Sequence, residues 1–372
     1  MTQFHYAHAS GVDWRAAVDS CLQALGADGR RAGLGFCYVT DAVGGDAEAL
    51  LDRLRATTDI AHWVGTVGAG VCSNGVEYFD SPAAAVVTMD IPEQSFRILA
   101  ATEGHLEDLD ADLEDWIEGA APCFGIVHGD PRNANLQGLI ADLTSRIGGG
   151  FLVGGLSSGR SEHFQIADRV VQGGVSGVCF ASDVAVSTRL TQGCSPIGPR
   201  HAISRADRNL VFALDDRPAL EVFREDLAAL DGVSDAALAG DVYAALPVVG
   251  SDTGDYLVRN LVGFDLDSNA IAIGEAVDDS ASIMFCKRDA ASAEADLLRM
   301  LGEIKRDLRA PPRGGMYFSC IARGPNLFGP GSRELKLIQG QLGSLPLGGF
   351  FGNGEISNDR LYGYTGVLTL FL

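Results

Sequence analysis

Residues 347–356 read LGGFFGNGEI, and the fold turns on how that stretch is read. Leu347 to Phe351 is an apolar run. Gly352-Asn353-Gly354 breaks it, and Glu355 follows as a lone carboxylate. A glycine turn at a strand end either reverses the chain or lets backbone N–H groups approach something small. Upstream, MYFSCIARG (316–324) reads as a buried strand. ELKLIQGQL (334–342) reads as a helix with Leu335, Ile338 and Leu342 on one side. Strand, helix and strand at this length form a crossover unit with parallel flanking strands.

The same order occurs twice more. GLGFCYVT (33–40) is followed by DAEALLDRLRAT (46–57), with Leu50, Leu51 and Leu54 inward, and then by WVGTVGAG (63–70). CFGIVHG (123–129) is followed by LQGLIADLTSRI (136–147), a helix with Leu139, Ile140 and Leu143 on one face, and then by FLVGGLSSG (151–159). Val127 and Gly155 lie 28 residues apart, as do Ile321 and Gly349, and Val39 and Gly70 lie 31 apart. These spacings predict three copies of strand, helix, strand, glycine turn and further strands that extend the sheet. The expected class is α/β to α+β, with mixed sheets flanked by helices and two domains. Residues 1–32 read as a helical lead-in, because Trp14, Val18, Cys21, Leu22 and Leu25 share a helical face. The two domains are then 33–214 and 215–372. Within the second, DDRPALEVFREDLAAL (215–230) reads as a helix with Leu220, Phe223, Leu227 and Leu230 on a face. Asp267-Ser268-Asn269 reads as a hairpin turn, a helix runs over about 290–309, and GYTGVLTLFL ends the chain as a strand.

Composition narrows the partners. The 372 residues carry a net charge of −21, which disfavours nucleic acid and anionic membrane surfaces. There is no basic-then-apolar start and no run of about 18 apolar residues. A cytoplasmic protein without membrane insertion is the expectation. The eight cysteines, Cys21, Cys37, Cys72, Cys123, Cys179, Cys194, Cys286 and Cys320, form no C-x-x-C pair. Reduced, buried thiols follow.

The candidate ligand residues gather at the glycine turns. They are Gly70, Ser73, Asn74 and Gly75; Gly155, Ser157, Ser158 and Arg160; and Gly352, Asn353, Gly354 and Glu355, with Arg323 beside the third strand. Glycines free successive N–H groups for an anion, and short polar side chains fix it. Arg160 and Arg323 are able to clamp a carboxylate, and Glu355 to receive an ammonium. The plainer readings stand beside these: turns that only reverse the chain, solvated or ion-paired arginines, and a glutamate that caps a backbone N–H. No catalytic or metal set is expected. Cys194, with His201 seven residues on, and Cys72 and Cys320 would each need a depressed pKa to act as nucleophiles. His128 and His163 are the best-placed histidines for an axial haem ligand, and hydrogen-bonded structural roles suit them equally.

Several motifs in order carry a resemblance: GAGVCSNG (68–75), LVGGLSSG (152–159), TQGCSPIGP (191–199), NLVFALDDRPALEVF (209–223), MYFSCIARG (316–324) and LPLGGFFGNGEI (345–356). Together they resemble the FIST family, sensory domains of bacterial signalling proteins and of some F-box proteins. The resemblance implies intracellular sensing of a small ligand, amino acids or related metabolites being the usual suggestion. No enzyme activity and no resident cofactor are expected, although some members of that family bind haem and respond to nitric oxide. Other members are fused to a kinase, cyclase or similar output module. Here the resemblance fills the chain, so a separate signalling protein is the expected partner. A haem-binding nitric-oxide sensor and a cysteine-dependent enzyme remain as alternatives.

Overall fold

The computed structural model describes residues 3–102, 111–120, 124–148, 150–228, 241–248, 255–279 and 281–372. Cys123, His105 and Leu230 lie outside the described residues. The chain divides into two compact units, one of residues 1–191 and 297–372, the other of residues 192–296.

Three parallel strand–helix–strand segments organise the larger unit. Leu34–Thr40 pairs in parallel with His62–Gly68, Phe124–Gly129 with Phe151–Leu156, and Gly314–Cys320 with Leu347–Gly352. The helices between them are Ala47–Thr57, Leu136–Arg146 and Arg333–Leu342. Every residue of Leu34–Thr40, Phe124–Gly129 and Gly314–Cys320 is buried, as in parallel strands covered on both faces. Glycines in the second strand of each pair leave no room for a side chain against the neighbour. A Cβ on Gly65, Gly154 or Gly349 would lie 1.9, 1.8 or 1.8 Å from the carbonyl oxygen of Cys37, Val127 or Tyr317 on the parallel neighbour.

Three six-stranded sheets share one strand order. The first runs Phe4–Ser10, Ala83–Met89, Leu34–Thr40, His62–Gly68, Gln165–Ala167, Val170–Val171. The second runs Phe96–Thr102, Val175–Phe180, Phe124–Gly129, Phe151–Leu156, Glu355–Asn358, Arg360–Tyr362. The third runs Val186–Gln192, Thr365–Phe371, Gly314–Cys320, Leu347–Gly352, Gly70–Ser73, Val76–Phe79. The hairpin after each glycine turn therefore leaves its own sheet. Residues 70–79 complete the third sheet, 165–171 the first and 355–362 the second. This corrects the expectation that those strands extend the sheet they follow.

One core lies between the inner faces of the sheets, holding Phe36, Tyr38, Phe124, Ile126, Met316, Phe318, Phe350 and Val367. At its centre Tyr38, His128 and Phe318, one from each sheet, stand with ring centroids 5.5, 6.1 and 6.2 Å apart. The outer face of the first sheet packs on helices Trp14–Ala24 and Ala47–Thr57 through Val18, Leu22, Leu50 and Leu54. That of the second packs on Leu136–Arg146 through Leu139, Ile140 and Leu143.

The lead-in is more than helical, since Phe4–Ser10 is a full strand of the first sheet, antiparallel to Ala83–Met89. The spatial division also differs from a cut at 214/215. Residues 297–372 return to the larger unit because the third sheet is built from them and from Val186–Gln192.

The smaller unit is antiparallel. Val242–Pro247, Tyr256–Asp265, Ala270–Ile273, Leu210–Leu214, His201–Asp207 and Ser282–Arg288 pair in that order, and the last pairs back with the first, closing a ring. Helix Ala219–Ala228 places Leu220, Phe223 and Leu227 against its core. The hairpin turn falls at 266–269, with Asn269 at positive φ, as its sequence requires.

Candidate functional site

The glycine turns lie beyond the carboxyl ends of the parallel strands, where ligands of α/β sheets collect. Here they bond to one another. The Ser158 N–H donates to Val67 O (3.2 Å) and the Asn353 N–H to Leu156 O (3.0 Å). The third link passes through a hydroxyl: Ser158 Oγ accepts the Ala69 N–H (2.8 Å) and donates to Phe351 O. These three N–H groups, of Ser158, Asn353 and Ala69, are spent on the fold and are not open to an anion.

The other candidates divide sharply. Gly70 is a strand residue opposite Phe351 and Phe79, and Gly155 faces both His128 and Glu355. Ser73 donates to Leu347 O (2.7 Å) and Asn74 to Ser344 Oγ (2.8 Å). Gly75 turns the chain at φ +75°. Ser157 meets His163 Nδ1 at 3.1 Å. Gly352 O accepts the Ile321 N–H, Gly354 O accepts the Leu156 N–H, and the Asn353 side chain is exposed. Arg160 is also on the surface. It pairs with Asp80 at 2.8 Å, beside an open groove of about 330 Å³ lined by Asp41, Asp80 and Ser81.

Arg323 and Glu355 are different. Arg323 follows the strand Gly314–Cys320 and is fully buried. Its Nε donates to Glu334 Oε1 (2.8 Å), and its guanidinium stacks 5.1 Å from the Phe328 ring. Glu334 sits in the first turn of helix Arg333–Leu342. It also accepts the Tyr317 hydroxyl (2.6 Å), the Ser319 hydroxyl (3.2 Å) and the Gly324 N–H (2.9 Å). Both Nη atoms of Arg323 are sealed from solvent and have no hydrogen-bond partner among the described residues. Burial works against the arginine's charge, but Glu334 more than offsets it, so the guanidinium stays charged.

Glu355 opens the strand that crosses to the second sheet and is 1% exposed. Its Oε2 accepts the Thr365 N–H (3.1 Å) and hydroxyl (2.7 Å), while Oε1 is sealed and has no N–H or O–H partner among the described residues. Burial raises its pKa to about 8, against the opposing pull of Thr365 and Arg323. Arg323 and Glu355 are thus within electrostatic reach, each with buried hydrogen-bonding capacity unused. Buried polar atoms are rarely left so. Nearby, Glu77 caps the Leu335 N–H, and burial followed by the Glu334 charge lifts its pKa to about 7.

Glu334 and Thr365 escaped the sequence reading. A glutamate in a first helical turn reads as a favourable partner for the helix dipole, and Thr365 as an ordinary strand residue. The available signal was Arg323, a lone arginine ending an apolar strand, which needs a buried carboxylate nearby.

The histidine and cysteine candidates fall elsewhere. His128 is enclosed by Tyr38, Phe318 and Phe350, and burial pushes its pKa down to about 3. All described cysteines are buried. Burial raises the Cys72 and Cys320 thiols well out of the reactive range. Cys194 pairs within a strand of the smaller unit. Among the described residues no cluster of three or more His, Cys, Asp or Glu is placed to hold a metal, and no helix is long and apolar enough to cross a membrane.

Comparison with known proteins agrees with the sequence motifs. The FIST N domain model matches residues 33–217 and the FIST C domain model residues 219–358. An uncharacterized protein of Mycobacterium tuberculosis (strain H37Rv) is 31% identical over 345 residues, 87% of each chain. An uncharacterized protein of Mycobacterium bovis is 31% identical over 251 residues, 65% of this chain and 64% of its own. The chain belongs to the FIST family, whose domains are recognised as sensory and ligand-binding.

Proposed function

We propose that this member of the FIST family is a cytoplasmic sensor that binds an amino-acid-like or other small polar metabolite and signals through a separate protein. The kinase or cyclase class suits that partner. One observation carries the reading: the two Nη atoms of Arg323 and Oε1 of Glu355 are buried without a hydrogen-bond partner among the described residues. An unsatisfied buried polar group costs roughly 1–3 kcal/mol, and more when charged, so a ligand that satisfies these atoms gains affinity from the start. Entry needs the connection over 321–332 to move. Gly324, Gly329 and Gly331 there hold φ of +53°, +82° and +85°, and Phe328 covers the guanidinium.

A thermal-shift screen against carboxylic acids, amino acids and nucleotides tests it. Ligand at a hundredfold excess over its Kd stabilises by about 2.7 kcal/mol, a shift that is easily read. Arg323→Gln should abolish that shift. A flat screen, together with a native mass spectrum showing no ligand carried through purification, would sink the reading.

The two alternatives have less support. Haem does not fit at His128, whose ring has no open face. It would rest on His163, which is half-buried against Ser157. A Soret band that persists in His128→Ala and vanishes in His163→Ala would revive it. The cysteine-enzyme reading needs a low-pKa thiol. Rapid iodoacetamide labelling of the native protein at neutral pH would bring it back.

A further inference from the structure

The two oxygens of Glu355 are not equivalent. Oε2 faces two donors from Thr365 and the Cys320 thiol also hydrogen-bonds the carboxyl, while Oε1 meets no N–H or O–H donor among the described residues. A carboxylate oxygen bare of donors in a dry interior is expensive, so the carboxyl keeps its proton, on the oxygen that no donor meets. The charged and titratable groups facing it are Arg323 and the Cys320 thiol. Burial raises that thiol, so it is neutral as well. Glu334, held in place by Tyr317 and Ser319, engages only the Nε edge of the Arg323 guanidinium. What remains unused is one-sided. The Nη groups of Arg323 donate, and Oε1–H of Glu355 donates. Nothing left in the cluster among the described residues offers a charged acceptor to an ammonium.

We propose that the site takes an oxyanion, a carboxylate with no adjacent ammonium, with Arg323 supplying the charge and Glu355 a neutral hydrogen bond. This rests on the ligand-binding reading above and narrows it. An α-amino acid would have to ionise Glu355 to seat its ammonium, releasing a proton on binding. A simple carboxylate, a hydroxy acid or an oxo acid does not. The burial that lifts Glu355 to about 8 also sets the pH range in which the two classes part.

The test uses the full chain and an isosteric series: propionate, pyruvate, L-lactate and L-alanine. Each is titrated by calorimetry from about pH 6 to about pH 9. One of the three acids without an ammonium should bind at least tenfold more tightly than alanine near neutrality. Its affinity should fall roughly tenfold per pH unit above about 8. Glu355→Gln keeps an N–H donor, so it should hold the affinity within a few-fold and lose the pH dependence. Alanine binding tightest, strengthening with pH and failing in Glu355→Gln, would overturn the proposal and leave the sensor reading intact. No binding by any of the four would overturn it too, the sensor reading then standing or falling on its broader screen. Affinity unchanged in Arg323→Gln would remove the site from both. A second readout needs no ligand. The infrared carbonyl stretch of protonated carboxyls should be present at neutral pH and lose intensity in Glu355→Gln, with the contribution of Glu77 remaining. Its absence from the wild-type protein would refute the proposal.

Discussion

Glu334→Gln should damage this protein far more than Arg323→Met. Glu334 Oε1 meets three donors, from Tyr317, Ser319 and Arg323, and Oε2 meets the Gly324 N–H. In the glutamine variant the amide oxygen retains the first three. The amide N–H2 then faces the Gly324 N–H, donor against donor. Arg323, sealed from water, loses its counter-charge and has no way to shed its proton. Removing one partner of a buried ion pair costs about 3–5 kcal/mol, and the misplaced amide adds on the order of 1 kcal/mol. Methionine at 323 removes the stranded cation and both unpartnered Nη atoms. It leaves Glu334 with three donors and the option of taking up a proton, for a loss of about 1–3 kcal/mol. Urea unfolding followed by tryptophan fluorescence reads both, because Trp14, Trp63 and Trp116 all belong to the unit that contains the cluster. If Glu334→Gln does not fold, the double variant with Arg323→Met should restore it, since the unpaired charge is gone. A loss below about 1 kcal/mol in Glu334→Gln, or the reverse order of the two variants, would mean that water reaches the guanidinium. The reasoning from a sealed charge would then be wrong.

Four further outcomes are expected. Gly349→Ala, whose Cβ would lie 1.8 Å from Tyr317 O, should cost more than about 3 kcal/mol or prevent soluble expression. Gly340→Ala, in an exposed helix position with open space, should gain about 0.5–1 kcal/mol in the same urea assay. His201 lies between Asp215 (2.6 Å) and Asp226 (3.0 Å). Burial alone would lower its pKa, but the two carboxylates raise it above the ordinary 6.5. A raised histidine contributes its full stability below about 6.5 and loses it as pH climbs through the folded value. Hydrogen exchange in helix Ala219–Ala228 should therefore quicken above that pH, beyond its intrinsic dependence, and the excess should disappear in His201→Gln. Ser158→Ala breaks the hydroxyl bridge between Ala69 and Phe351 and should cost about 1–3 kcal/mol without altering ligand affinity. Calorimetry on the variant checks the second half.

Local features of the chain were the ones its sequence made legible. The strands Leu34–Thr40, Phe124–Gly129 and Gly314–Cys320 and the helices after them carry their own patterns, continuous apolar runs and helical spacing. Arg323 and Glu355 were visible as candidates because each is a charge beside an apolar strand. Their burial was not visible. The exchange of hairpins was hidden for a physical reason. Gly70–Ser73 pairs with a strand almost 280 positions away, and a partner at that distance leaves no periodicity behind. Phe4–Ser10 was missed because only two of its seven residues are buried, and its two histidines blur the alternation. The closed antiparallel ring of the smaller unit depends on pairing Val242–Pro247 with Ser282–Arg288, again a relation between distant segments.

That exchange also explains where a ligand site is able to exist. Each glycine turn hands its hairpin to another sheet, so the three turns must pass close to one another. Close passage brings N–H and C=O groups together, and Ser158–Val67, Asn353–Leu156 and the Ser158 bridge satisfy them. Backbone donors are therefore lost to ligands, and discrimination falls to side chains beyond the strand ends. The three ends differ there. At the first, Arg160 pairs with Asp80 in open solvent, where the interaction is screened and weak. At the second, Asp130 is buried but accepts from Arg132 and from the Gly173 N–H. At the third, Arg323 and Glu355 are buried with capacity to spare. The glycines make the junction, and the site lies where the side chains around it do not cancel.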